Sequence, residues 1–212
     1  MAVVNPPPRR AGQARTRLAR RAVVDAARAL FVERGYQATT IDAISDRADV
    51  PPATVYRLFS SKLGILKALL DVSIAGDDQP VALPERPEIT ALAGAADPAA
   101  LIAGFAGVTA AINARGGDVF RILASAADSD PAAAELLADV QRQRARGQGQ
   151  IARALARAGA LPPGLRERDA ADLIHALMSP ELYRLLVVDR SWSASRYEQW
   201  LTTTLTAQLT RG

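Results

Sequence analysis

No cysteine occurs among the 212 residues, and histidine occurs once, at His175. The first absence excludes disulfide staples, thiolate nucleophiles and cysteine metal sites, and the second removes the usual His-rich metal clusters. Neither a metal nor an organic cofactor is expected. No apolar run approaches the roughly 18 to 20 residues needed to span a bilayer, and the opening MAVVNPPPRRAGQ has no apolar segment of signal-peptide type. The expectation is a cytoplasmic protein without membrane contact. Strand-period alternation is missing over any useful length, and no internal repeat is visible. There is also no G-x-S-x-G elbow and no evident oxyanion-hole loop. A helical hydrolase pairing His175 with Ser179 or Ser191 is therefore the weaker alternative, and the chain is not read as an enzyme.

What the chain does contain is apolar surface, 49% of its residues, enough to fill a sizeable core. Its charge is distributed unevenly. Residues 1–62 hold eleven Arg and Lys against five Asp and Glu, whereas the remainder holds fifteen against seventeen. A basic excess confined to the first third points to a polyanion-binding end joined to a part with another task, or else to a solvated basic tail.

Helical periodicity runs through most of the chain. From Thr16 to Arg34 the apolar positions Ala19, Val23, Ala27 and Leu30 recur at three and four residues, and Gly35 follows as a stop. A short second helix begins after Thr39-Thr40, carries Asp42 in its positive first turn and buries Ile41, Ile44 and Ala48. Asp49 marks a turn, Pro52 suits the first position of a third helix bearing Val55, Leu58 and Phe59, and Ser61 caps a fourth. Residues 76–96, with three prolines and two glycines, read as a loop. Beyond them Asp97-Pro98 and Asp130-Pro131 open further helices, Gly147 and Gly149 invite a kink, and two last helices cover about 167–189, bent at Pro180, and 194–210. The fold class is thus all-α with about nine helices: a flexible basic arm at 1–15, a helical domain at 16–75, a linker at 76–96 and a larger helical domain at 97–212.

A first helix packed on a short helix, a turn and a second short helix is a helix-turn-helix arrangement. The run GYQATTIDAISDRADVPPATVYRLFSSKLGIL, Gly35 to Leu66, resembles the amino-terminal domain of the TetR (tetracycline repressor) family of bacterial transcriptional regulators. Gly35, Thr39, Thr40, Ile41, Ile44, Ala48, Val50, Thr54, Tyr56, Phe59, Lys62 and Leu66 all fall on the family's pattern. Three positions depart from it: Ser45 for the usual Ala, Asp49 for the turn Gly, and Pro51 for the helix-capping Ser. The resemblance implies a homodimeric repressor of palindromic operator DNA in a bacterial cytoplasm, released by a small, mostly apolar effector. It places Thr40, Tyr56 and Lys62 on DNA phosphates and Pro52, Ala53, Thr54 and Arg57 toward the bases. Arg57 alone could bond guanine bidentately, and a phosphate contact or a surface ion pair is its other reading. Arg9, Arg10, Arg15 and Arg17 either enter the minor groove or make no contact. A helical sensor that acts through protein contacts without DNA is the remaining alternative.

The family's carboxy-terminal domain dimerises and often encloses an effector. Leu173, Leu177, Leu182 and Leu185, with Tyr197, Leu201 and Leu205, supply two apolar faces for a four-helix bundle between two-fold mates, or for packing within one chain. A mostly apolar effector pocket would lie among Ile102, Phe105, Val108, Ile112, Phe120, Leu123 and Leu137, with His175 as a polar group, although each residue equally suits a plain core. Arg142, Arg146, Arg153 and Arg157 read as a solvated helix face.

Overall fold

Proline opens six of the ten α-helices among the described residues, which shows how local chemistry sets this architecture. It stands first in α1 (Pro8–Ala38), α3 (Pro52–Phe59), α5 (Pro87–Ala93), α6 (Pro98–Ala127), α7 (Pro131–Arg157) and α9 (Pro180–Tyr183). At that position the missing N–H costs nothing and the fixed φ is already helical. The others are α2 (Ile41–Ala48), α4 (Lys62–Ala75), α8 (Glu167–Leu177) and α10 (Ala194–Leu209). The computed structural model describes residues 8–77, 83–95 and 97–211, the side chains of 8–11, 84, 88 and 93 excepted. Among them no strand occurs. Side-chain caps close several amino termini: Asp97 accepts from Ala99 N at 3.1 Å, Asp130 from Ala132 N at 3.0 Å, and Ser193 from Arg196 N at 3.1 Å.

The all-α class holds, while several boundaries differ from expectation. Helix α1 starts at Pro8, so residues 8–15 are helical where a flexible arm was expected; residues 1–7 lie outside the described part. Its regular geometry ends at Gly35, whose φ of 81° lies where a side chain is disfavoured. The stretch 76–96, expected as loop, contains α5 and a 3₁₀ turn at Leu83–Glu85. There the prolines start elements rather than break them. Gly147 and Gly149 leave α7 uninterrupted, and Pro180 ends one helix and begins another instead of bending one. A π-helical segment, Arg184–Asp189, follows α9. By length and composition α6 also meets the requirement for a membrane span, contrary to the expectation that no stretch does. Core helices of water-soluble proteins meet the same requirement.

The chain divides into two compact units, Met1–Asp71 with Arg121–Ala134, and Val72–Phe120 with Glu135–Gly212. The end of α6 and the start of α7 therefore group with the amino-terminal helices, although they fall inside the stretch 97–212. In the first unit α1 contributes Val23, Ala27, Leu30 and Phe31 to the core, α2 Ile44, α3 Val55 and Phe59, and α4 Ile65, Leu66, Leu69 and Leu70, all buried. The second unit has its own core, in which Leu101, Ile102, Ala106 and Ala110 of α6, Ile151, Ala152 and Leu155 of α7, and Ile174 of α8 surround the apolar side of α10.

Candidate nucleic-acid interface

The short helices α2 and α3 are held against the long helix α1 because each has one buried side. Ile44 anchors α2, and Val55 and Phe59 anchor α3, beside the core residues of α1. A cation–π contact reinforces this: the Arg20 guanidinium on α1 sits 4.8 Å from the Phe59 ring centroid, and its Nη1 donates to Leu58 O at 3.4 Å. With 55 and 59 inward, helical spacing turns 52, 53, 56 and 57 outward. Pro52, Ala53, Tyr56 and Arg57 are all exposed, and Thr54 is half-buried. Tyr56 is 53% exposed, unusual for a large aromatic unless another molecule covers it. Arg57 has no ion-pair partner among the described residues, so its guanidinium is free on the presented face.

The turn between α2 and α3 is held by residues that depart from the expected pattern. Asp49 takes φ 51° and ψ 44°, left-handed geometry that Asp adopts more readily than most side chains. Ser45, buried, donates from its hydroxyl to Val50 O at 2.6 Å and so ties α2 to the strand of chain entering α3. Pro51 makes no side-chain cap; its carbonyl instead accepts from Thr54 N at 2.8 Å and Val55 N at 3.1 Å. Thr40 caps α2, accepting from Ala43 N at 3.1 Å, and remains exposed at that positive helix end.

Lys62 behaves differently from a phosphate clamp. Its ammonium donates to Tyr36 O at 2.8 Å, Thr39 O at 2.9 Å and Gln37 O at 3.4 Å, and lies 4.3 Å from the Tyr36 ring centroid. Its three protons are committed to the chain end that leaves α1 and enters α2. Burial lowers its pKa, an effect the Asp130 carboxylate opposes. Tyr36, buried, is pushed up to about 12 by burial first and then by Asp130, which its hydroxyl meets. Nearby Gln37 Nε2 donates to Ser129 Oγ at 2.5 Å. Of the expected arm residues, Arg15 and Arg17 are exposed on α1, and the side chains of Arg9 and Arg10 lie outside the described part.

Residues 23–69 match the family model described as bacterial regulatory proteins, tetR family. This is a TetR-family domain. The chain is 46% identical over 48 residues to YvkB, an uncharacterized HTH-type transcriptional regulator of Bacillus subtilis, and 41% identical over 51 residues to KstR, an HTH-type transcriptional repressor of Mycobacterium tuberculosis. These matches cover 23% and 24% of this chain, and only 25% and 23% of the two relatives' lengths. The family model's match thus lies in the helix-turn-helix end, and the chain spans about a quarter of the length of these two relatives. In fold the likeness extends further: the structure of SmeT with triclosan superposes with a TM-score of 0.71 at 20% identity, over 91% of this chain and 92% of that one.

Residues expected at other sites separate. Of the proposed effector pocket, Ile102 is buried in the second unit's core and Phe105 packs against it, while Val108, Ile112, Phe120 and Leu137 are half-buried. Leu123 is buried in the first unit and does not belong with them. His175 Nδ1 pairs with Gln148 Oε1 at 2.7 Å, a satisfied histidine between α8 and α7. Of the expected dimer residues, Tyr197 and Leu201 are 0% and Leu205 1% exposed within one chain, so they are core and not an intermolecular face. Helical periodicity identified the apolar side of α10 but carries no information on which partner fills it. Leu173, Leu177 and Leu182 are half-buried, and Leu185 is 49% exposed.

Proposed function

We propose that the protein is a TetR-family transcriptional repressor that binds palindromic operator DNA as a homodimer in a bacterial cytoplasm and is released by a small effector held in its second unit. The observation that carries this reading is the outward face of α3, where Pro52, Ala53, Tyr56 and Arg57 are exposed while Val55 and Phe59 fix the helix from behind. Arg57 then reads a base or clamps a phosphate, Pro52 and Ala53 offer apolar contact such as a thymine methyl requires, and Thr40 and Tyr56 set register on phosphates. Lys62 contributes by holding the entry to α2. Two such heads about 34 to 36 Å apart would meet successive major grooves. Exposed Leu185 and Val188, beside half-buried Leu182 and Leu186, support a two-fold interface at the π-helical segment. KstR's description as a repressor and the triclosan bound to SmeT support the sign of regulation and the presence of an effector.

A mobility-shift titration on the DNA flanking its own coding sequence tests the reading. A salt-sensitive complex that survives excess random duplex is expected, with footprint arms related by a dyad. No sequence-preferring complex across the flanking DNA would overturn it in favour of a sensor working through protein contacts.

A further inference from the structure

The face that α7 turns into the second unit is apolar at Val140, Ile151 and Leu155, all buried, but polar midway, at Arg144 and Gln148. Gln148 is satisfied by His175. Arg144 is not: its Nη2 is fully buried with no hydrogen-bond partner, and among the described residues the guanidinium makes no ion pair. The acid that acts on it most strongly, Glu181 in the first turn of α9, is exposed and does not close a bridge. Across from it on α6, Asn113 is 3% exposed and its Nδ2 is likewise buried without a partner. Both groups act on one phenol, that of Tyr197 on α10, which is wholly buried and whose hydroxyl donates to Leu177 O at 3.5 Å.

Two buried donors from two helices, Arg144 Nη2 and Asn113 Nδ2, are therefore left without a hydrogen-bond partner, beside a phenol whose own proton goes to Leu177 O. A guanidinium does not deprotonate inside a protein, so the penalty of its burial stays in the free state until an anion arrives. An amine or a donor-only ligand would worsen the site. A single positive charge beside one neutral donor suits a monoanion with two coplanar oxygens better than a dianionic phosphate.

We propose that the second unit binds an organic carboxylate, its carboxyl group held by Arg144 and Asn113 beside the Tyr197 phenol and its apolar body lying against the surrounding apolar side chains. The inference deepens the effector reading above and rests on it. Tyr183 and Trp200 stand beside Tyr197, with ring centroids at 4.8 and 6.1 Å, and Trp192 is 6.0 Å from Trp200. Both tryptophans of the chain thus report on the site.

The test titrates the full chain, without DNA, with decanoate and 2-naphthoate and with their primary amides, following tryptophan emission and melting temperature. At least one carboxylate is expected to shift both signals, and its amide to bind at least about tenfold more weakly, the loss of one charge-assisted pair. Arg144→Met should abolish the response and raise the melting temperature of the free protein by about 2 to 4 °C, because it removes an unpaired buried charge. Asn113→Asp is the second variant: it supplies the missing carboxylate from within and should block binding while keeping the fold. Carboxylates without effect, amides that bind equally well, or undiminished binding by either variant would overturn the site. The operator assay keeps the two readings apart. A specific complex with no carboxylate binding sinks this inference alone, and carboxylate binding without any operator complex sinks the repressor reading alone.

Discussion

Lys62→Met separates a phosphate clamp from a structural tether. The substitution keeps an unbranched apolar stem of similar length and deletes the charge. Hydrogen bonds to a charged donor contribute about 1.5 to 3 kcal/mol each, and the contacts at 2.8 and 2.9 Å to Tyr36 O and Thr39 O are good ones. The gross loss is therefore about 3 to 6 kcal/mol. Against it stand the burial of the ammonium, visible as its lowered pKa, and the freezing of a side chain that carries about 2 kcal/mol of rotamer entropy. The net destabilisation comes to about 2 kcal/mol, which in a chain of this size lowers Tm by about 4 to 8 °C. The carbonyls that lose their donor lie at the entry to α2, so α2 and α3 should be presented less well to every DNA sequence. Thermal melts followed by circular dichroism give the first number, and anisotropy titrations with operator and random duplexes over a range of salt give the second. Affinity should fall on both duplexes while the slope of log K against log salt stays as in the parent. An unchanged Tm with a slope shallower by about 0.9, the signature of one lost phosphate contact, would refute the tether.

Arg57→Ala should relax sequence preference, costing about 1 to 3 kcal/mol at one base position in a substitution scan of the operator; equal losses on operator and random DNA would make Arg57 a phosphate contact. A Cβ at Gly64 would lie 2.0 Å from Phe59 O, a backbone atom that cannot swing aside. Gly64→Ala should therefore shift the junction of α3 and α4 and cost about 2 to 3 kcal/mol in a denaturant titration, and a neutral result would mean the junction is loose. Ser45→Ala restores the residue usual in the family, yet here it strands the Val50 carbonyl, so a loss of about 1 to 2 kcal/mol is expected in the same titration. At high pH, Tyr36 and Tyr197 both titrate near 12, each raised chiefly by burial from 10.0. The stability they confer is complete below pH 10 and is lost as pH rises from 10 to about 12, while Lys62, shifted the other way, relieves a smaller penalty on the approach to 10.5. Steep alkaline unfolding is expected across that window, tracked by tyrosinate absorbance, and should soften in Tyr36→Phe and Tyr197→Phe.

What was legible in the sequence followed from local rules. Val55 and Phe59 are buried and Pro52, Ala53 and Arg57 exposed because helical spacing leaves no other arrangement once Pro52 starts the helix. Gly35 ends the regular part of α1 because the chain there needs positive φ. Readings failed where local rules are silent. Prolines at 84 and 87 looked like loop markers, but the same residue type that breaks a helix from inside starts one from its edge, as Pro87 does. The apolar stripe of α10 was visible and its partner was not, because burial against one's own chain and against a second copy have identical periodicity. Arg144 was missed for a different reason: three arginines nearby, Arg142, Arg146 and Arg153, are exposed as expected, and it resembles them in everything but phase. Counting from Val140 in steps of four would have found it, followed by Gln148, on the inward side.

The three departures from the family pattern share a logic. A glycine at the turn, a capping serine and an alanine inside α2 form a set in which the turn costs little and the third helix is capped by its own side chain. Here Asp49 holds the turn at some backbone cost, and the hydroxyl that might have capped α3 is absent at Pro51. Compensation comes from inside, where Ser45 bonds Val50 O in a buried setting at 2.6 Å. The polar group has moved from the exposed amino-terminal end of α3 to the core side of the turn. Pro51 and Pro52 then start the helix by restricting φ rather than by hydrogen bonding, and with Thr54 and Val55 N–H turned back to Pro51 O, Ala53 N–H is the remaining first-turn donor. A helix end that offers one backbone N–H and a positive dipole, with no serine oxygen competing for it, is better placed to receive a phosphate than a capped one. The loss of a capping side chain at Pro51 therefore weakens the turn and, on the proposed reading, leaves the amino terminus of α3 open to a phosphate by the same substitution.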